Sequence, residues 1–305
     1  MATTSDKEQQ KPIVESSEKS KGRRVFPSYI DLAAIFGVYI ITQIIAILIT
    51  KISLNSLLIG SSDELKIGWL MLGSQIISMT LTIIFIYIIR RARQAPPIKI
   101  KCSLRGLDPT ILLGGLLMLL SASIAIEPLL ALLPPTPPVE GRGVPMLLSV
   151  VIGAPLFEEF ICRGLIFESI NNKRGVVMAW LISSLFFGVM HLDPSMVINA
   201  FVMGLILCYI YIRSNSILSP IILHSLNNGI AYLLIIAGFG DNTLLRDIIP
   251  SQTIYYIVYG LAIVILITSL FLCRSRFKLI AQQNQMESTP KETTQDQAEE
   301  RAEEK

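Results

Sequence analysis

Charge is scarce in this chain. Asp, Glu, Lys and Arg make up 16% of 305 residues, against 52% apolar residues and a mean hydropathy of +0.59. A soluble domain carries about a quarter charged residues, so a water-soluble globular class is excluded. An excess of one sign is missing too: the net charge of +3 is small and scattered, which argues against a nucleic-acid partner. Cysteine is sparse. Cys102, Cys162, Cys208 and Cys273 are widely spaced with no CxxC, so neither a disulfide framework nor a thiolate metal site is indicated. No signal peptide is expected, because the first apolar run is too long and begins too late. Histidine is nearly absent, with His191 and His224 alone.

Long apolar runs are what the chain has. Crossing the hydrocarbon core takes about 20 apolar residues in a helix. Candidate spans lie at 29–50, 68–89, 110–133, 145–170, 175–192, 195–213, 218–237 and 253–273. The fold expected is all-α: a polytopic membrane bundle of about eight transmembrane helices. Residues 1–27 read as a polar N-terminal tail, 28–273 as the membrane domain and 274–305 as a charged, disordered C-terminal tail. The Pro-rich stretch 134–138 reads as a stiff connector. Basic residues set the direction. With both termini cytoplasmic, 16 Lys and Arg flank the inner side, from Lys19 to Lys278, against Lys51, Lys66, Arg142 and Arg246 outside.

Ionisable groups nevertheless stand inside these spans. Glu158, Glu159 and Arg163 fall within six residues of one run, although each costs about 2.5–3.5 kcal/mol to insert and is functional by default. Glu159 and Arg163, four apart, share a helix face and pair. Glu158 projects about 100° away and is left the freer carboxylate. His191 follows Phe187 by one turn, and His224 precedes Asn228 by one. Measured from the basic anchors at about 1.5 Å per residue, Glu158, His191, His224 and Asn228 reach similar mid-membrane depths. Gly204 reads as a close-packing position.

A glutamate, two histidines and an asparagine suit hydrolysis. Carboxylate and imidazole can take a proton from water, while imidazole and amide can donate to a developing oxyanion. Glu158, His191 and His224 would equally serve as zinc ligands with an open position. HExxH is absent, and the aspartyl and serine intramembrane chemistries fit poorly. A proton-coupled transporter is the rival reading, but it would call for internal repeats that the chain lacks.

Glu158-Glu159-x-x-x-Arg163, Phe187-x-x-x-His191 and His224-x-x-x-Asn228 resemble, in order, the signature motifs of the CPBP family of intramembrane proteases (CAAX proteases and bacteriocin-processing enzymes, also labelled Abi). The resemblance covers about 145–237. It implies Glu158 as essential base, His191 as its helper, His224 and Asn228 as oxyanion donors, and Glu159 with Arg163 as support. It also implies a membrane-associated peptide or protein substrate in the lipid bilayer, and a bacterial plasma membrane is the expected location. No cofactor is expected, because a general-base account uses every residue; zinc is the alternative.

Overall fold

Short polar residues at the ends of the apolar runs fix where the helices start. Ser28 caps the first helix, α1 (Tyr29–Leu57), in a reciprocal box with Asp31. Ser62 caps α2 (Asp63–Ala92), and Asp108, followed by a proline at the first helical position, caps α3 (Pro109–Ala125). The protein is described here from a computed structural model covering residues 26–58, 60–134, 141–239 and 244–288. A helical turn at Glu127–Leu130 prolongs α3. There follow α4 (Gly143–Arg174), α5 (Val176–Val189), α6 (Pro194–Ser214), α7 (Leu218–Ile236), a single turn at Leu245–Ile248 and α8 (Gln252–Ser288). Among the described residues there is no strand.

Seven of these helices are long and apolar enough to cross a membrane. With an apolar exterior of Ile and Leu along α1, α2 and α8, they make this an integral, multi-pass membrane protein. The expected span at 175–192 is the exception. It is helical over only 14 residues, about 21 Å, short of the roughly 30 Å hydrocarbon core. Gly175, at φ +80°, turns the chain out of α4, and the turn before the Asp193 cap and Pro194 of α6 ends α5 early. This short helix carries the chain from the Arg174 end of the bundle to His191.

The helices form three layers. An α1–α2 hairpin lies on one side, α3 packed on α8 lies on the other, and α4 to α7 stand between them. Contacts sort the charges onto two ends. At one, Arg93 pairs with Asp31 at 2.9 Å, Arg174 stacks on Tyr29, Arg90 donates to Ser169 and to the Pro96 carbonyl, and Arg276 pairs with Asp108 at 2.8 Å. At the other, Arg142 donates to the Ile235 carbonyl, and Glu127 accepts from Leu245 N. The described members of the larger basic set that make these contacts therefore share one end. Lys19, Lys21, Arg23 and Arg24, and most of the 134–138 stretch, lie outside the described residues.

The C-terminal boundary needs correction. Helix α8 runs through Ser288, so the first part of the segment expected to be disordered from 274 is helical. Phe277 is buried beside Tyr209, Arg213 stacks over its ring, and Arg276 is tied to Asp108. These anchors hold the helix beyond its apolar span.

Candidate active site

Helix α4 is not wound evenly. Leu148–Gly153 and Phe160–Phe167 are π-helical, and the α-helical turn Ala154–Glu159 lies between them. Pro155 has no N–H to give the helix and crowds the preceding turn, which favours the wider winding before it. The result is a distorted helix with both carboxylates turned inward: Glu158 is 8% exposed and Glu159 is fully buried.

Glu159 is held from two sides. Arg163 Nη1 donates to its Oε1 at 3.0 Å, and His224 Nδ1 lies 3.1 Å from the same oxygen. The guanidinium is fully buried, gives Nη2 to the Gly204 carbonyl at 3.0 Å, and lies 4.7 Å over the Phe187 ring. A buried cation is tolerable only when so engaged. Glu158 differs. Its nearest charge partner is His224 Nε2, 3.9 Å from Oε2 and beyond hydrogen-bond reach; the Oε2 of each glutamate is buried without a hydrogen bond. One imidazole therefore faces both carboxylates, one nitrogen each.

Phe187 organises the rings. Its centroid is 5.3 Å from His191 and 5.4 Å from His224, both edge-on. The sequence motif placed Phe187 beside His191 but gave no signal that it also meets His224 and Arg163. Gly204 has a backbone part as well as a packing one: its carbonyl holds Arg163, and a Cβ there would sit 3.2 Å from Phe187 and Ser184. His191 Nδ1 is bonded to the Phe187 carbonyl at 3.0 Å. The preceding carbonyl, of Met190, accepts from the buried Tyr39 hydroxyl at 3.1 Å, and Gln43 donates to that hydroxyl. Tyr39 and Gln43 belong to α1, whose sequence is read above only as an apolar span. Asn228 donates its amide to the Val150 carbonyl at 3.0 Å, tying α7 to the first π-turn of α4.

Two features bear on other chemistries. Among the described residues no three His, Cys, Asp or Glu side chains stand where they could share a metal ion. The string Gly238-Phe-Gly-Asp241 has the GxGD order of membrane aspartyl sites, a match the exclusion of that chemistry overlooked. It follows the end of α7 rather than lying in the apolar span, and Gly240 and Asp241 are outside the described residues.

Residues 140–230 match the family model described as type II CAAX prenyl endopeptidase Rce1-like. The putative membrane peptidase YdiL of Bacillus subtilis (strain 168) is 34% identical over 89 residues, 28% of this chain and 36% of the relative. The membrane-embedded CAAX protease MroQ of Staphylococcus aureus (strain USA300) is 31% identical over 123 residues, 38% of this chain and 49% of the relative. The match thus spans half or less of each relative's length. No solved structure matches.

Proposed function

We propose that this chain, whose residues 140–230 match the model described as type II CAAX prenyl endopeptidase Rce1-like, is an intramembrane endopeptidase of a bacterial plasma membrane, with both termini cytoplasmic. Its substrate is a membrane-associated peptide or protein. The observation that carries this reading is the asymmetry of the two carboxylates: Glu159 is clamped through Oε1 by Arg163 and His224 at 3.0 and 3.1 Å, while Glu158 stands 3.9 Å from His224 Nε2 with no guanidinium on it.

Glu158 takes a proton from a water molecule as that water's oxygen attacks the peptide carbonyl carbon. A carboxylate accepts and does not donate, so Glu159 holds a proton on His224 Nδ1 and leaves the Nε2 lone pair turned to Glu158; the oxyanion then falls to Asn228 rather than to His224 and Asn228 together. A carboxylate fixes the imidazole of a serine-hydrolase triad in the same way. Similarly, the Phe187 carbonyl holds a proton on His191 Nδ1 and leaves Nε2 to accept one. The Asn228 amide spends one N–H on Val150, and its second is aimed at the oxyanion. When the C–N bond breaks, the proton taken from water passes to the departing amine.

The test is cleavage of a library of membrane-anchored peptides by the purified protein, wild type beside Glu158→Gln, with and without a strong chelator. Cleavage is expected in the wild type, with a loss of about 10²–10⁴-fold in kcat for the variant, the usual worth of a general base, and no effect of chelator. Glu158→Gln cleaving at the wild-type rate sinks the assignment of the base. Activity abolished by chelator and restored by zinc replaces this mechanism with the metal one.

A further inference from the structure

A second polar site lies at the opposite end of the bundle from the Arg93–Asp31 and Arg276–Asp108 pairs. A cavity of about 580 Å³ opens between α3, α6, α7 and the Leu245–Ile248 turn. Its walls are mostly apolar, from Leu120 and Ile124 to Ile230 and Leu234, but acceptor groups interrupt them. Glu127 is 7% exposed; Leu245 N caps its Oε1 at 2.7 Å, and its Oε2 is buried without a hydrogen bond of sound geometry. Asn199 Oδ1 is likewise buried and unbonded. Asp247 adds a second carboxylate, with Arg246 3.7 Å from it as the one basic group among the described lining residues. Two acids, one base and unbonded acceptors make a cavity short of donors and of positive charge. Buried acceptors left in this state each cost on the order of 1–3 kcal/mol.

The cavity continues the candidate active site along two helices. On α7, His224 belongs to the Glu158 cluster, and Asn227, Ile230 and Leu234 line the cavity at helical spacing. On α6, Gly204 holds Arg163, Met203 contacts Asn227, and Asn199, one turn earlier, lines the cavity. Asn227 also reaches the Asn228 side chain at 3.5 Å. One strip of α6 and α7 therefore leads from the two glutamates to Glu127.

We propose that this cavity is a specificity site that receives a cationic side chain, lysine or arginine, from the stretch of substrate flanking the cleaved bond, with Glu127 as its counter-ion and Asn199 as a second acceptor. The proposal rests on the endopeptidase reading for its occupant. A cation over these groups supplies the missing donors and charge, which water in an apolar-walled cavity does poorly.

The experiment separates binding from cleavage. Membrane-anchored peptides carrying either lysine or norleucine, walked through the flanking positions, are titrated against the inactive Glu158→Gln protein with Glu127 intact and with Glu127→Gln. Glutamine keeps the acceptor for Leu245 N and the side-chain size. Expected is about tenfold tighter binding of the lysine peptide at one position, as for a charge-assisted contact, falling toward parity with Glu127→Gln. The same ratio is then read in kcat/KM with Glu158 restored. Absence of a lysine preference, or its survival in Glu127→Gln, overturns the site. A Glu127-dependent preference in binding without cleavage of any peptide keeps the site and sinks the endopeptidase reading.

Discussion

Adjacent glutamates of identical chemistry end in different states because of what touches them. Glu159 completes a buried ion pair that also orients His224, whereas Glu158 is not needed to neutralise any buried cation. Removing one member of a buried pair leaves a stranded charge, at about 3–5 kcal/mol. Glu159→Ala is therefore expected to lower thermal stability in detergent by about that amount, with Glu158→Ala, which strands no buried cation, costing less. Thermal unfolding of the two purified variants checks this, and an equal fall in both would mean that Glu158 is structural too. The i,i+4 spacing alone was enough to read the Glu159–Arg163 pair. The placement of His224 Nδ1 on that same oxygen was not legible, because it depends on how α7 packs against α4, 65 residues away in sequence.

At the scale of the element, α5 and α6 are set close by a small residue. A Cβ on Gly188 would lie 2.8 Å from the Val197 carbonyl and 3.0 Å from the Phe201 Cβ. The first of these is backbone and cannot turn aside. Gly188→Ala is expected to cost about 1–3 kcal/mol, the usual price of overpacking. It should also lower activity through the shift of His191, three residues on, and a variant as stable and active as wild type would refute this. Helix α8 offers a pH test. Hydrogen bonding from Arg276 holds the Asp108 carboxyl below its ordinary range, against an opposing burial effect. A depressed folded value means that this tether is complete above the unfolded pKa of about 3.9 and is lost as pH falls through the folded one. Hydrogen exchange near Arg276, corrected for intrinsic rates, should be flat from neutral to alkaline pH and rise in acid. Asp108→Asn should remove that rise, and a rise that persists would point to another group. Hydropathy gave the approximate limits of the long spans, since each is a predominantly apolar run. The early end of α5 was hidden, because Met190 and Leu192 prolong the apolar run on either side of His191 while the backbone has already turned.

For the whole molecule, the sorting of basic residues onto one end has a direct consequence. Of the four cysteines only Cys102 is exposed, in the stretch between α2 and α3 at that end; Cys162, Cys208 and Cys273 are buried. If the basic end faces the cytoplasm, a membrane-impermeant maleimide should label intact cells weakly and permeabilised cells once per chain, with Cys102→Ser abolishing the label. Full labelling of intact cells would reverse the orientation. The apolar, featureless surfaces of α1 and α8 explain why these helices were legible only as spans. Their inward residues, Tyr39 against Met190 and Arg276 against Asp108, are isolated polar positions with no periodic signature.

The sequence by itself determined that the chain lives in a membrane, roughly where most spans begin and end, and which rare side chains to suspect. Those follow from hydropathy, which is local, and from the cost of charge in hydrocarbon, which makes every intramembrane ion conspicuous. Only the tertiary structure decided that His224 joins Arg163 on Glu159, that Phe187 bridges both histidines, and that a donor-poor cavity continues the same helix faces to Glu127. Each depends on side-chain contacts between segments far apart in the chain, and packing, not periodicity, fixes those.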